Sequence, residues 1–219
     1  MRVMGIVLAI AACGPTPTRP NGADDGDDDQ PTSDAPTPPA DTMTCGAQSE
    51  NIGVVNLGDP PDLLVVLDRS GSMSSPVPTF PPTFTPKWTI MKNGLNTVVA
   101  ARDDQIKFGL MEFPSDDNCA SDASVEVPIG LGSAPAVASY FQTRSPNGNT
   151  PAHTALTQAL AHFNTIPVNS AGRYVLFATD GLPNCGGAAQ DQASDAETVA
   201  AVTALANAGI PTYVLGFGS

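Results

Sequence analysis

The sequence predicts a doubly wound α/β fold over residues 53–219: a mostly parallel sheet with helices on both faces. Three observations carry that prediction. Short, continuous apolar runs of strand length recur along this stretch, amphipathic helical patterns lie between them, and two of the runs end in an aspartate followed by a turn. Strand–helix alternation of this kind cannot bury its apolar surface except by packing helices against a parallel sheet.

The first run, Asp62–Asp68 (DLLVVLD), is bounded by Pro60-Pro61 and Arg69-Ser70-Gly71 and reads as a strand buried on both faces. Ser74–Pro86 (SSPVPTFPPTFTP) is rich in proline and is expected to be an unstructured insertion rather than a lip beside a site. Lys87–Ala101 follows as a helix, then Ile106–Phe113 as a strand, Val125–Ile129 as a short strand and Ala134–Phe141 as a short helix. Ala152, Ala155, Leu156, Ala159, Leu160, Phe163 and Ile166 recur at helical spacing and make one apolar stripe. Tyr174–Thr179 is the next buried strand. Ser194-x-x-Glu197 has the form of a capping box opening a last helix, and Gly209 then Pro211 close it. Pro211–Phe217 reads as the fifth main strand, with an unpaired edge. No internal repeat is visible.

The first fifty residues have a different character. Met1–Cys13 (MRVMGIVLAIAAC) has one basic residue, a short apolar run and small residues before Cys13, the layout of an export signal too short to span a bilayer. Its end resembles a bacterial lipobox, which implies a signal over residues 1–12, a lipid-modified Cys13, and anchoring in the cell envelope, at the outer membrane since Gly14 rather than Asp follows. Residues 13–52 are expected to form a disordered tether: Gly14–Thr44 holds seven prolines and the acidic run Asp24–Asp29, with little apolar surface to offset ordering entropy. An EF-hand loop centred on Gly26 fails at Ala23 and Thr32.

Charge excludes some partners. Lys plus Arg number 9 against 22 for Asp plus Glu, a net charge of −13, so clustered cations for nucleic-acid phosphates or an anionic membrane surface are lacking. The lipid anchor is therefore the only membrane contact expected. No Walker loop appears, and no Gly-x-Ser-x-Gly elbow surrounds Ser70 or Ser72. His153 and His162 both fall in the striped helix and read as helix-surface residues.

Chemistry concentrates where strands end. Asp68-x-Ser70-x-Ser72 forms the first strand-to-helix turn, Gly148-Asn149-Thr150-Pro151 introduces the striped helix, and Thr179-Asp180-Gly181 ends another buried strand. In open α/β sheets ligands sit outside the carboxyl ends of the strands. Three hydroxyls and two carboxylates are hard oxygen donors that favour Mg²⁺, Mn²⁺ or Ca²⁺. Hydroxyls are weak donors, so such an ion stays electrophilic toward an acidic group from outside. Each residue also has a plainer use: Thr150 as an N-cap before an N1 proline, Ser70-Gly71 and Asp180-Gly181 as turn pairs.

Taken together and in this order, the three elements resemble the metal-ion-dependent adhesion site of von Willebrand factor type A domains, over residues from about 53 to the end. The resemblance implies a Rossmann-like domain in which Ser70, Ser72 and Thr150 contact Mg²⁺ (or Mn²⁺ or Ca²⁺) through hydroxyls. Asp68 and Asp180 would bind directly or through water, and a Glu or Asp of a protein or polymer ligand would complete the shell. It implies adhesion without catalysis or a small-molecule substrate. Members usually continue with another strand and helices, so a fragment or a truncated frame is expected here. In an oxidising compartment Cys119 and Cys185, both after strand ends, are expected to pair, leaving Cys45 without a partner; pairing of Cys45 with one of them is the alternative. Two other functions compete: a metal-dependent hydrolase or phosphatase using Asp68, and a structural lipoprotein with a vestigial metal site.

Overall fold

The run Asp62–Asp68 forms β1, the central strand of a five-stranded sheet. The computed structural model describes residues 58–79, 83–116, 118–186 and 194–217. The expected signal, Cys13, the tether and Cys45 lie outside the described residues.

After β1 come a 3₁₀ turn (Gly71–Ser74), the short strands β2 (Pro76–Thr79) and β3 (Thr83–Pro86), helix α1 (Lys87–Arg102) and strand β4 (Lys107–Phe113). Strand β5 (Val127–Gly130), helices α2 (Ala134–Thr143) and α3 (Ala152–Thr165), strand β6 (Arg173–Thr179), helix α4 (Asp195–Asn207) and strand β7 (Thr212–Gly216) complete the order. The main sheet runs β5-β4-β1-β6-β7. β1 pairs in parallel with β4 and β6, β6 pairs in parallel with β7, and β5 is antiparallel to β4.

Alternation along β1 decides the layers. Leu64 and Val66 point to one face, where they meet Ala155, Leu156, Ala159 and Phe163 of α3 and Ala201 and Leu205 of α4. Val65 and Leu67 point to the other, among Trp88, Met91, Leu95 and Val99 of α1 and Val137, Tyr140 and Phe141 of α2. Both faces of β1 are therefore covered, which is why its sequence is a continuous apolar run. Each such fully buried Leu, Val or Phe contributes about 1.5–3 kcal/mol by leaving water.

Helix α4 ends in a Schellman motif. Ile210 N–H donates to the Leu205 carbonyl and Gly209 N–H to that of Ala206, with Gly209 at φ 71°. Its start departs from expectation: Ser194 is the N-cap but makes no side-chain cap hydrogen bond.

One other expectation needs correction. Ser74–Pro86 is not an unstructured insertion, because β2 and β3 pair antiparallel from Pro76↔Pro86 to Thr79↔Thr83. The Thr79 hydroxyl ties the tip of this hairpin to those of Thr83 and Thr85, and Lys87 N–H donates to the Ser75 carbonyl at its base. Among the described residues β7 has only β6 beside it, and its side chains are open to solvent, Val214 67% and Tyr213 58% exposed. No described helix is long and apolar enough to cross a membrane.

Candidate metal site at the ends of β1 and β6

The chain leaves β1 toward β4 on one side and later returns to β6 on the other. The carboxyl ends of β1 and β6 thus form the switch point of the sheet, the position at which open α/β sheets ordinarily bind ligands. Asp68 ends β1 and Asp180 directly follows β6.

Asp68 is fully buried and both its oxygens are engaged. Oδ1 accepts the Ser70 N–H at 2.7 Å, and Oδ2 accepts the Thr179 hydroxyl at 2.6 Å. Burial raises its pKa above the ordinary carboxylate value and the nearby Asp180 charge adds to that, while the Thr179 and Ser70 hydrogen bonds pull the other way. The Ser72 hydroxyl donates to Asp180 Oδ1 at 2.8 Å, so the Ser70 hydroxyl, 3.0 Å from that of Ser72, is the donor of their shared bond. A directed chain Ser70 → Ser72 → Asp180 results. Met73, fully buried between the sheet and α1, anchors the 3₁₀ turn that holds Ser72 and directly follows Ser70.

The loop carrying Thr150 docks beside this turn through its backbone. Gly71 N–H donates to the Gly148 carbonyl at 2.9 Å and Asn147 N–H to the Arg69 carbonyl at 2.7 Å, with Gly148 at φ 82°, a conformation few other residues adopt. Thr150 is not the N-cap of α3. That position belongs to Pro151, whose ring carries no hydrogen-bonding group, and the helix begins at Ala152. Among the described residues the Thr150 hydroxyl makes no hydrogen bond, so it is uncommitted although the residue is 4% exposed.

Two side chains not anticipated from the sequence complete the arrangement. Asn184 accepts the Thr150 N–H at 2.7 Å through its side chain, and its own N–H reaches the Thr150 carbonyl at 3.3 Å, tying the loop after β6 to the loop before α3. Lys87, first residue of α1, places Nζ 2.9 Å from Asp180 Oδ2; the Asp180 side chain is fully buried and that of Lys87 is 18% exposed. Neither contact has a sequence signature, since each joins single loop or helix-end residues far apart in the chain. A Cys119–Cys185 disulfide fastens the β4–β5 loop to the Asp180 loop, and Asn149 bonds Asn118 through both backbone and side chain.

Beneath the site, Arg69 pairs with Glu112 and reaches the carbonyls of Asp116 and Ser145. Glu112, buried on β4, also takes the Tyr140 hydroxyl at 2.6 Å and pairs with Arg144. These bonds fix the loops from below. His153 lies half-buried at the start of α3, its Nε2 3.1 Å from the Thr154 hydroxyl.

The donor set fits a hard divalent ion. Among the described residues no three His, Cys, Asp or Glu side chains cluster, so the donors here are hydroxyls and two carboxylates. Two carboxylates share a buried corner, an ammonium is already drawn onto one of them, and the Thr150 hydroxyl is unspent.

A family model described as the von Willebrand factor type A domain matches residues 63–182. A comparison with curated proteins finds no match. Solved structures with the same fold include the manganese-loaded TRAP protein of Plasmodium vivax, at 21% identity and TM-score 0.54, covering 74% of this chain and 59% of that one. The pilus adhesin SpaC of Lactobacillus rhamnosus GG, in its open conformation, aligns at 13% identity and TM-score 0.53 over 71% of this chain and 24% of that one. A von Willebrand factor type A protein from Catenulispora acidiphila aligns at 19% and 0.51 over 74% and 34%. The chain thus spans less than two thirds of the length of each.

Proposed function

From the premise that the chain belongs to the von Willebrand factor type A domain family, we propose that it captures a carboxylate-bearing protein or polymer through a divalent ion. Ser70, Ser72 and Thr150 would hold that ion through hydroxyls, and Asp68 and Asp180 directly or through water. The observation that carries this reading is the convergence of these five side chains' loops at the switch point, with two carboxylates within electrostatic reach of each other.

When bound, Mg²⁺ or Mn²⁺ supplies a Lewis-acidic position that weak hydroxyl donors leave open to a Glu or Asp side chain. The protein's own part is orientation. Thr179 and the Ser70 N–H fix the Asp68 carboxylate, Ser72 fixes Asp180, and Asn184 sets the height of the Thr150 loop. The TRAP structure is manganese-loaded and SpaC is a pilus adhesin, which agrees with metal-assisted adhesion at a surface. We place the domain outside the cytoplasm, carried on the Pro/Asp-rich segment and lipid-anchored through Cys13.

A hydrolase or phosphatase centred on Asp68 fits less well. A nucleophilic carboxylate needs access and a low pKa, whereas Asp68 is fully buried, doubly hydrogen-bonded and pushed up by burial. One observation favours a second reading, a structural role with a vestigial metal site: Lys87 already supplies a cation to Asp180.

Retention of the full chain on immobilised polyglutamate tests the proposal. The net charge of −13 makes metal-free attraction to a polyanion unfavourable. Retention should therefore appear with Mg²⁺ or Mn²⁺, vanish with EDTA, and vanish in Ser70→Ala. Retention indifferent to EDTA, or turnover of a phosphate ester that Asp68→Ala abolishes, would replace the adhesion reading.

A further inference from the structure

We propose that Lys87 is a built-in counter-cation of the site, an ammonium that must leave Asp180 for a divalent ion to bind. The inference rests on the metal-site reading above and adds to it the control of cation entry.

The geometry is specific. Both Asp180 oxygens are gripped, Oδ1 by the Ser72 hydroxyl at 2.8 Å and Oδ2 by Lys87 Nζ at 2.9 Å. The two grips share one framework. Ser75 N–H donates to the Ser72 carbonyl, and Lys87 N–H donates to the Ser75 carbonyl, so the β2–β3 hairpin is pinched off at its base. Lys87, fifteen positions beyond Ser72, is thereby brought back beside it. An eleven-residue excursion that leaves the helix start in place holds the lysine at the site.

Helix physics does not account for a lysine at this position. The first turn of a helix carries partial positive charge and disfavours cations, and α1 has no acidic residue there. What favours the ammonium is Asp180, whose side chain is fully buried. A divalent ion held by Asp180 would share that carboxylate with Nζ, and like charges in a poorly solvated corner repel. The two cations therefore compete for Asp180.

The test titrates Mn²⁺ calorimetrically into the full chain and into Lys87→Met at matched ionic strength. Lys87→Met should bind Mn²⁺ roughly tenfold to a hundredfold more tightly, the range expected for removing one charge-assisted hydrogen bond that binding must break. Without metal the same variant should melt below the parent, and saturating Mn²⁺ should close the gap. Equal affinities would overturn the inference and leave the metal site standing. No binding to either chain would overturn both.

A measurement on the unsubstituted chain does not depend on the variant folding. Acetylation of Lys87 by acetic anhydride, followed by peptide mass spectrometry with Lys92 and Lys107 as internal references, should speed up when Mn²⁺ saturates the protein. An unchanged Lys87 rate in a chain that demonstrably binds Mn²⁺ would refute displacement.

Discussion

Replacing Cys119 and Cys185 together by serine should destabilise the domain by about 4 kcal/mol. The bond closes a loop with a sequence separation of 66, and chain-entropy theory assigns roughly 4 kcal/mol to cross-linking a denatured chain over such a length. For a chain of this size, about 2–4 °C of melting temperature accompanies each kcal/mol, so the double variant should melt about 8–16 °C lower. The assay is thermal unfolding followed by far-UV circular dichroism in EDTA, which removes any contribution from metal binding. Peptide mapping under non-reducing conditions should recover Cys119 linked to Cys185. The bond also joins two loops of the site, next to Asn184 and Asn118, so the folded double variant should bind Mn²⁺ more weakly. A melting temperature within 2 °C of the parent, or free thiols at both positions in the parent, would refute the reasoning.

Other side chains give sharper local tests. Phe163→Ala removes a fully buried ring between α3 and the sheet and should cost about 3–5 kcal/mol in urea unfolding. Tyr140→Phe deletes a 2.6 Å bond to buried Glu112 and should cost about 1.5–3 kcal/mol by the same assay. Burial lowers the His162 pKa below 6.5, so as pH falls through 6.5 the unfolded chain takes up the proton first. The stability His162 supports above that pH is lost as pH drops through the folded value. His162→Gln should flatten this part of a stability–pH curve; an unaltered curve would show that His162 is solvated like a free imidazole.

What could be read in advance follows from the range of the interactions involved. β1 must be apolar at every position because helices cover both its faces, so DLLVVLD announces itself. The α3 stripe is equally plain, with Ala155, Leu156, Ala159 and Phe163 all fully buried. The order of the three oxygen-bearing turns follows from strands that end in Asp. Thr150 shows the limit of local rules. Its sequence suits a capping threonine, yet the helix starts one residue later and the hydroxyl makes no cap bond. The β2–β3 hairpin was hidden by its prolines, which lack the N–H that a strand ladder ordinarily uses, while the Thr79, Thr83 and Thr85 hydroxyls at its tip add cross-strand bonds. Lys87 and Asn184 act across 93 and 34 residues of sequence, and only the folded chain brings them to Asp180 and Thr150. β7 shows that exposure depends on which neighbours cover a run: Tyr213, Val214 and Leu215 are all exposed.

The central claim is that loops at the ends of β1 and β6 make one divalent-ion site. Calorimetric titration of Mg²⁺ and Mn²⁺ into the full chain tests it most directly, beside Ser70→Ala, Thr150→Val and Asp180→Ala variants checked for folding. The account predicts a single saturable ion per parent chain and severely weakened binding in all three variants. A folded parent that gives neither heat nor a thermal shift, or variants that bind as the parent does, would contradict it.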